Sequence, residues 1–406
     1  MRIFWKWRGE KPKNRPLVLF GLLLSFLILL FSGIVAMKNR SFRPLEEKYP
    51  PVEELVSQTD YPEIKFERSK TCVSTSYNTL MGSVQDIIGY QNNKFGLYIY
   101  AEEDYVELAG DLVNSNGGDW GYVLIPINVR DYDGGKWREI FRKLNEKHLI
   151  PILQLWDLSK EDEEGQLKEC AQLLDSLEWP IKKRFVSVFN EPNDSRFWRE
   201  GADPSEYAEV LDKTIAIFKN QNENFFMLNG AFNSSARNGD GYIDEEKFII
   251  AMNKAVPGIF NKLDGWASHP YPQPAYRGSP FSIGRDSIKA YDWELNLLNK
   301  LFGVNNLPVF ITETGWAHRE GIIYNDNFLS QDVVASYFVK AFKEVWGPDN
   351  RVVAVTPFTI RYNPPFDHFS WIDFNEDFYP QFRAVQSLPK IKGLPPYLIK
   401  KEVVCE

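Results

Sequence analysis

Cysteine and histidine are scarce in this chain of 406 residues, which holds three of the first and four of the second. The cysteines, Cys72, Cys170 and Cys405, include no C-x-x-C pair, which argues against a structural zinc site or a redox motif. At most one disulfide can form, and the fold should not depend on it. His148, His269, His318 and His368 show no H-x-x-x-H spacing. They offer too few ligands for a metal hydrolase, so no metal and no other cofactor is expected. There is no G-x-S-x-G elbow for a Ser–His–Asp enzyme. Positive charge is not in excess either. The formal net charge is -8, which argues against a nucleic-acid partner.

Aromatic residues are plentiful. They make up 15% of the chain, with 12 tryptophans, inside an apolar content of 44%. A sizeable core is expected, with rings to spare for a cleft that takes something flat and apolar on one face, such as a sugar. One long uncharged apolar run, residues 17–37, is long enough to span a bilayer. Arg2, Lys6, Arg8, Lys11, Lys13 and Arg15 precede it and outweigh the basic residues Lys38, Arg40 and Arg43 that follow. Residues 1–16 therefore read as a cytoplasmic basic tail and 17–37 as a signal anchor, with the remainder of the chain outside. The small residues Ser32, Gly33 and Ala36 leave a cleaved signal, and a secreted protein, as the alternative. Residues 38–90 are polar and proline-bearing, and read as a stalk and lead-in.

From about residue 94 the chain acquires a rhythm. Short apolar runs at 95–100, 122–127, 150–155, 185–189, 225–230, 263–268, 308–311 and 352–358 predict strands. Between and after them, 102–113, 136–148, 165–178, 204–220, 245–256, 287–302, 330–346 and 376–388 carry helical patterning. Cys170 falls on an apolar helix face, as an inert core thiol. Strands separated by helices mean parallel strands covered on both faces. Eight such units predict a (β/α)8 TIM barrel over residues 91–392, followed by a tail at 393–406. A doubly wound open sheet is the competitor, but the turn Tyr100-Ala101-Glu102-Glu103 lacks its glycine fingerprint.

Two glutamates stand where predicted strands stop. Glu191 lies in Phe189-Asn190-Glu191-Pro192-Asn193 after the fourth, and Glu313 in Ile311-Thr312-Glu313-Thr314-Gly315-Trp316 after the seventh. Chemistry in a barrel sits at the C-terminal ends of the strands. Strands four and seven lie roughly opposite one another across the mouth. Hydrolysis of an acetal between sugars needs an acid for the leaving oxygen and a nucleophile or base on the other side. Two carboxylates suffice when their surroundings separate their pKa values. The competing reading makes both glutamates ordinary rim residues.

Asn190-Glu191-Pro192 after strand four, with Glu313 closing strand seven, resembles the clan of retaining glycoside hydrolases built on a (β/α)8 barrel. That clan includes cellulase-like, β-mannanase, β-xylosidase and β-galactosidase families. The resemblance covers about residues 90–390. It implies Glu191 as acid/base, Glu313 as nucleophile and Asn190 as a hydrogen-bonding partner of the sugar 2-hydroxyl. It further implies carboxylates about 5–5.5 Å apart and net retention. His269-Pro270-Tyr271 is similar to the His-x-Tyr of the cellulase-like family. That likeness implies that Tyr271 holds Glu313 ionised and that His269 touches the sugar, against the alternative of a packed proline-rich loop.

Arg130 is a candidate donor to Glu313, or else faces solvent. Trp156 stacks on a sugar or joins the core. Trp316 is a candidate for the opposite wall. Where the family usually floors the subsite with a tryptophan after strand eight, this chain offers Phe358 or the later Trp371. The loop 362–369 is aromatic and forms a candidate wall.

The expected partner is an oligo- or polysaccharide, probed by hydrolysis. Transglycosylation by the same pair and a non-catalytic carbohydrate-binding barrel are the alternatives. No oligomeric state is legible.

Overall fold

The computed structural model describes residues 77–78, 92–239, 241–393 and 399–400. The predicted basic tail, the anchor at 17–37, most of the lead-in at 38–90, and Cys72 and Cys405 lie outside the described residues. Among the described residues no helix is long and apolar enough to cross a membrane.

Strands and helices alternate eight times. The order is β1 (Gly96–Tyr98), α1 (Glu103–Val113), β2 (Tyr122–Asn128), α2 (Gly134–Glu146), β3 (Ile150–Trp156), α3 (Glu163–Asp175), β4 (Arg184–Val188) and α4 (Pro204–Gln221). Then follow β5 (Phe225–Asn229), α5 (Glu245–Ala255), β6 (Trp266–Ser268), α6 (Ala290–Phe302), β7 (Val309–Ile311), α7 (Gln331–Lys340), β8 (Val352–Val355) and α8 (Pro380–Gln386). Among these eight, all neighbouring strands are parallel, and residues 77–78 and 399–400 form a separate antiparallel pair. Five form one sheet in the order β1-β2-β3-β4-β5, and three form another in the order β6-β7-β8. Each seam between the sheets carries a parallel bridge, Leu228 with Gly265 on one side and Phe95 with Val355 on the other. The arrangement is TIM-barrel-like.

The core is layered as a two-residue strand period demands. Along β5, Phe225 and Met227 pack outward under the helices while Phe226 and Leu228 point inward. The inward rings of Phe185 on β4, Phe226 on β5 and Phe310 on β7 meet one another, with centroids 5.0–5.8 Å apart. These contacts bring β4 and β7 together across the interior, a few residues below the two glutamates. Helix starts are fixed by side-chain caps. Asp203 accepts from the N–H groups of Ser205 and Glu206, with Pro204 in the first turn, and Ser330 accepts from Val333.

Several predicted elements are shorter than their patterning. The sixth strand begins at Trp266, because residues 259–262 close a 3₁₀ turn before it. The eighth ends at Val355, ahead of Pro357, which has no N–H to donate. The helix predicted over 330–346 is α-helical only to Lys340 and continues in wider π turns to Trp346.

Candidate active site

Strand β4 ends abruptly. Phe189 and Glu191 both adopt left-handed backbone, with φ of 73° and 35°. Side chains other than glycine rarely occupy that region, and each such residue costs on the order of 1–3 kcal/mol. The turn is braced from several sides. The Glu191 N–H donates to Ala231 O, and the Asp194 N–H returns to Glu191 O. Asn193 is the clamp. Its amide donates to Asn233 O and Ile243 O, and its carbonyl accepts from the Asn233 N–H. Tyr207 on α4 donates to Val188 O and accepts from the Gly230 N–H, tying the ends of β4 and β5. A Cβ on Gly230 would lie 2.6 Å from Val188 O, so only glycine fits there.

Strand β7 ends differently. Thr314 donates to Pro270 O, the Phe358 N–H donates to Thr314 O, and Gly315 takes φ of 151° beneath the loop after β8. Glu313 is thereby turned into the mouth.

The two carboxylates meet at one imidazole. His269 Nδ1 lies 3.2 Å from Glu191 Oε1 and 3.7 Å from Glu313 Oε2. Those two oxygens cannot be further apart than the sum of the two distances. Tyr271 Oη donates to Glu313 Oε2 at 3.1 Å. Asn190 Oδ1 accepts from Gln154 Nε2 at 3.0 Å, and Gln154 Oε1 accepts from Trp156 Nε1 at 2.8 Å. This chain, running inward from β3, fixes which face the Asn190 amide turns to the cleft.

Burial pushes the Glu313 carboxyl up to about 7; the charge of Glu191 adds to this, while His269, Tyr271 and Gln154 pull it down. Tyr271 makes the contact to Glu313 that the likeness implies, while burial acts against ionisation of that carboxyl. Burial opposes the His269 imidazolium, yet the charge of Glu313 and the hydrogen bond and charge of Glu191 outweigh it and raise its pKa above the ordinary histidine value. Burial, then the charges of Glu313 and Glu191, raise the Tyr271 phenol well above its usual range, so it stays a donor.

Above the pair opens a cleft lined by Trp156, Asn190, Glu191, Tyr271, Glu313 and Phe358 among others. Phe197, Tyr276, Tyr362, Phe366 and Phe369 extend the aromatic lining, and Arg196, Asn233 and Gln273 supply further polar groups. The loop 362–369 thus forms one wall.

Other residues named from sequence do not line the cleft. Arg130 pairs with Asp157, both half exposed, and makes no bond to Glu313. Arg130 lies two residues past the end of β2, with Val129 between, and that step carries it out of the mouth. Trp316 is 1% exposed; its Nε1 donates to Gly278 O, and its ring packs on Phe338 and Trp346 instead of lining the cleft. Trp371 is fully buried against Phe338. Phe358 therefore takes the position for which the two were alternatives. His269 is sealed behind the glutamates and touches them, leaving the cleft surface to its neighbours. At the seam, Asn229, the last residue of β5, bonds to the backbone of Gly230 and Ala267, a role that its sequence position did not announce.

Sequence reasoning missed Gln154, Asn193 and Arg196. Gln154 is a buried polar residue at an inward position of β3, and that alternation was its available signal. Among the described residues no group of three or more His, Cys, Asp or Glu side chains is disposed to hold a metal ion.

No protein-family model matches the chain, and no curated protein matches it. Solved (β/α)8-barrel glycoside hydrolases of several families are similar to it in fold. One is a family-128, subgroup II endo-β-1,3-glucanase from Pseudomonas viridiflava. It is 16% identical over 74% of this chain and 99% of that one, with a TM-score of 0.49. Another is a family-51 α-L-arabinofuranosidase from Bifidobacterium longum, 11% identical over 73% of each chain, at 0.48. A third is a family-2 β-galacturonidase from Eisenbergiella tayi, 10% identical over 73% of this chain and 50% of that one, at 0.48. At such scores the case for function is carried by the residues of the mouth.

Proposed function

We propose that this chain is a retaining glycoside hydrolase that cleaves β-linked O-glycosidic bonds in an oligo- or polysaccharide, on a (β/α)8 barrel closed at both seams. One observation carries the reading. Carboxylates from the ends of β4 and β7 stand within 3.7 Å of a single imidazole nitrogen, at the base of an aromatic-lined cleft. Their facing oxygens are separated by at most about 7 Å, a bound within which the roughly 5–5.5 Å of a retaining pair falls.

Glu313 attacks the anomeric carbon as its carboxylate, while Glu191 gives its proton to the departing glycosidic oxygen. A glycosyl ester on Glu313 results. Glu191, now a carboxylate, takes a proton from water, and the hydroxide so formed displaces Glu313. His269 and Tyr271 stabilise the charge that moves between the two glutamates. The faces of Trp156 and Phe358 accept the C–H side of a sugar ring, and Asn190, oriented by Gln154, reaches the 2-hydroxyl. The test is to follow the anomeric signal of the first product by NMR on a panel of aryl β-glycosides and β-glucans. The β anomer forming first supports the reading. The α anomer forming first, or binding without turnover in the presence of sugar acceptors, overturns it. The latter result leaves a carbohydrate-binding barrel, and products longer than the substrate reveal transglycosylation.

The charge asymmetry about residues 17–37 supports a further part of the reading, a single-pass anchor with the barrel outside the cell. Resistance of the full chain to alkaline carbonate extraction, with the barrel open to external protease, is the expected result. Release into the carbonate supernatant contradicts it.

A further inference from the structure

Behind the mouth, between α5, α6 and β6, the protein seals a second pair of carboxylates. Glu245 in the first turn of α5 and Glu294 on α6 are both fully buried. Trp266 Nε1 donates to Glu294 Oε2 at 2.6 Å. Glu294 Oε1, both Glu245 oxygens and His269 Nε2 have no protein hydrogen-bond partner. Arg285, whose charge acts on both carboxyls, spends its donors on Asp244, Ser234 O and Ala236 O.

We propose that Glu294, with Glu245 behind it, is a positioning residue that fixes the charge of His269 and through it the protonation of the Glu191–Glu313 pair. The proposal rests on reading that pair as the reacting groups.

The physical case is one of enclosure. Two sealed carboxylates side by side cannot both ionise, so the pair retains one proton. The Trp266 indole bond, short and directed at Glu294, favours placing the remaining negative charge there. β6 runs from Trp266, which binds Glu294, to His269, one residue past its end, so a single short strand joins the two sites. His269 Nδ1 has Glu191 and Glu313 within 3.7 Å on the cleft side, and the charge of Glu294 also favours its imidazolium. Glu245 is faced by Glu294, Arg285, Asp244 and Glu191. Burial raises both rear carboxyls, Glu294 to about 7, and the charge of Glu294 raises Glu245 further.

The test is titration of the His269 ring nitrogens by long-range ¹H–¹⁵N NMR on the full chain, where four histidines keep assignment tractable. Glu294→Gln removes the negative charge, because a lone buried Glu245 stays protonated. The His269 midpoint should fall by about one pH unit or more. Glu245→Gln removes the competitor for ionisation and leaves Glu294 more fully charged, so the midpoint should rise. A purely structural pair would move both variants together or neither. Equal shifts, no shift in Glu294→Gln, or an unmoved or lower midpoint in Glu245→Gln overturns the proposal. Should Glu294→Gln fail to fold, Glu245→Gln decides alone, by a rise for the proposal or its absence against. The titration needs no turnover, so it fails or succeeds independently of the hydrolase reading.

Discussion

Two pairs of glutamates are buried in this molecule, and they differ in what surrounds them. Glu191 and Glu313 lie under an open aromatic cleft, with an imidazole and a phenol within hydrogen-bonding reach. Glu245 and Glu294 lie between helices, with one indole donor between them. The front pair has donors that can meet a charge appearing on one carboxylate and leaving the other, as the proposed reaction requires. The rear pair has almost none, and must keep a proton instead. The backbone differs too. The front pair is reached through left-handed residues and a glycine turn, whereas the rear pair sits on regular helix. Strain gathers where a side chain has to be aimed.

The comparison is broken most severely by exchanging the acids for amides. Glu191→Gln should lower kcat by about 10²–10⁴-fold on substrates whose leaving group needs protonation, and far less on activated aryl glycosides. Glu294→Gln should cost under about tenfold in kcat, roughly 1.4 kcal/mol. Equal losses in the two variants would erase the distinction between the pairs. Next in size is Gln154→Leu. It leaves Asn190 without its orienting donor, and a buried polar group so orphaned costs about 1–3 kcal/mol. The expected loss falls in kcat, with KM little changed, in steady-state kinetics.

Tyr271→Phe sharpens the front pair alone. Removing a donor from the Glu313 carboxylate raises its pKa further. The acid limb of kcat/KM, which rises as Glu313 ionises, should therefore move to higher pH with little change at its plateau. A limb that stays in place would show that the phenol does not act on Glu313.

The smallest effect is on stability. Glu294 binds its proton more tightly in the folded chain, so the folded state holds more protons than the unfolded one between the ordinary glutamate value and about 7. Stability from this group therefore falls as pH rises through that window. Glu294→Gln should flatten the decline in Tm across it, read by thermal melts. An unchanged slope would mean that Glu294 ionises as freely folded as unfolded.

The architecture was legible in the sequence because each strand and helix announces itself by local periodicity. Glu191 and Glu313 were legible because a carboxylate directly after a buried strand has few structural uses. Trp316 and Trp371 could not be told from cleft residues in the sequence, because a tryptophan in a loop after a strand reads alike whether it faces a cleft or the helix layer. The packing of Trp316 on Phe338 and Trp346 is a tertiary fact. Arg130 misled because two residues beyond a strand end can leave the mouth. Glu245 escaped notice as an ordinary helix N-terminal acid. Glu294 left a trace, since it lies on the apolar face with Tyr291, Leu297 and Leu298, all buried with it. A glutamate on such a face signals a partner that sequence alone does not name.

The central claim is that Glu313 forms a covalent bond to the sugar. Glu313→Ala with added azide tests it most directly, using the best aryl β-glycoside found for the intact protein. The account predicts that the variant is inactive alone, recovers with azide, and yields a glycosyl azide of anomeric configuration opposite to the substrate. A Glu313→Ala variant that azide never revives, or that yields the glycosyl azide with the substrate's own configuration, would contradict it.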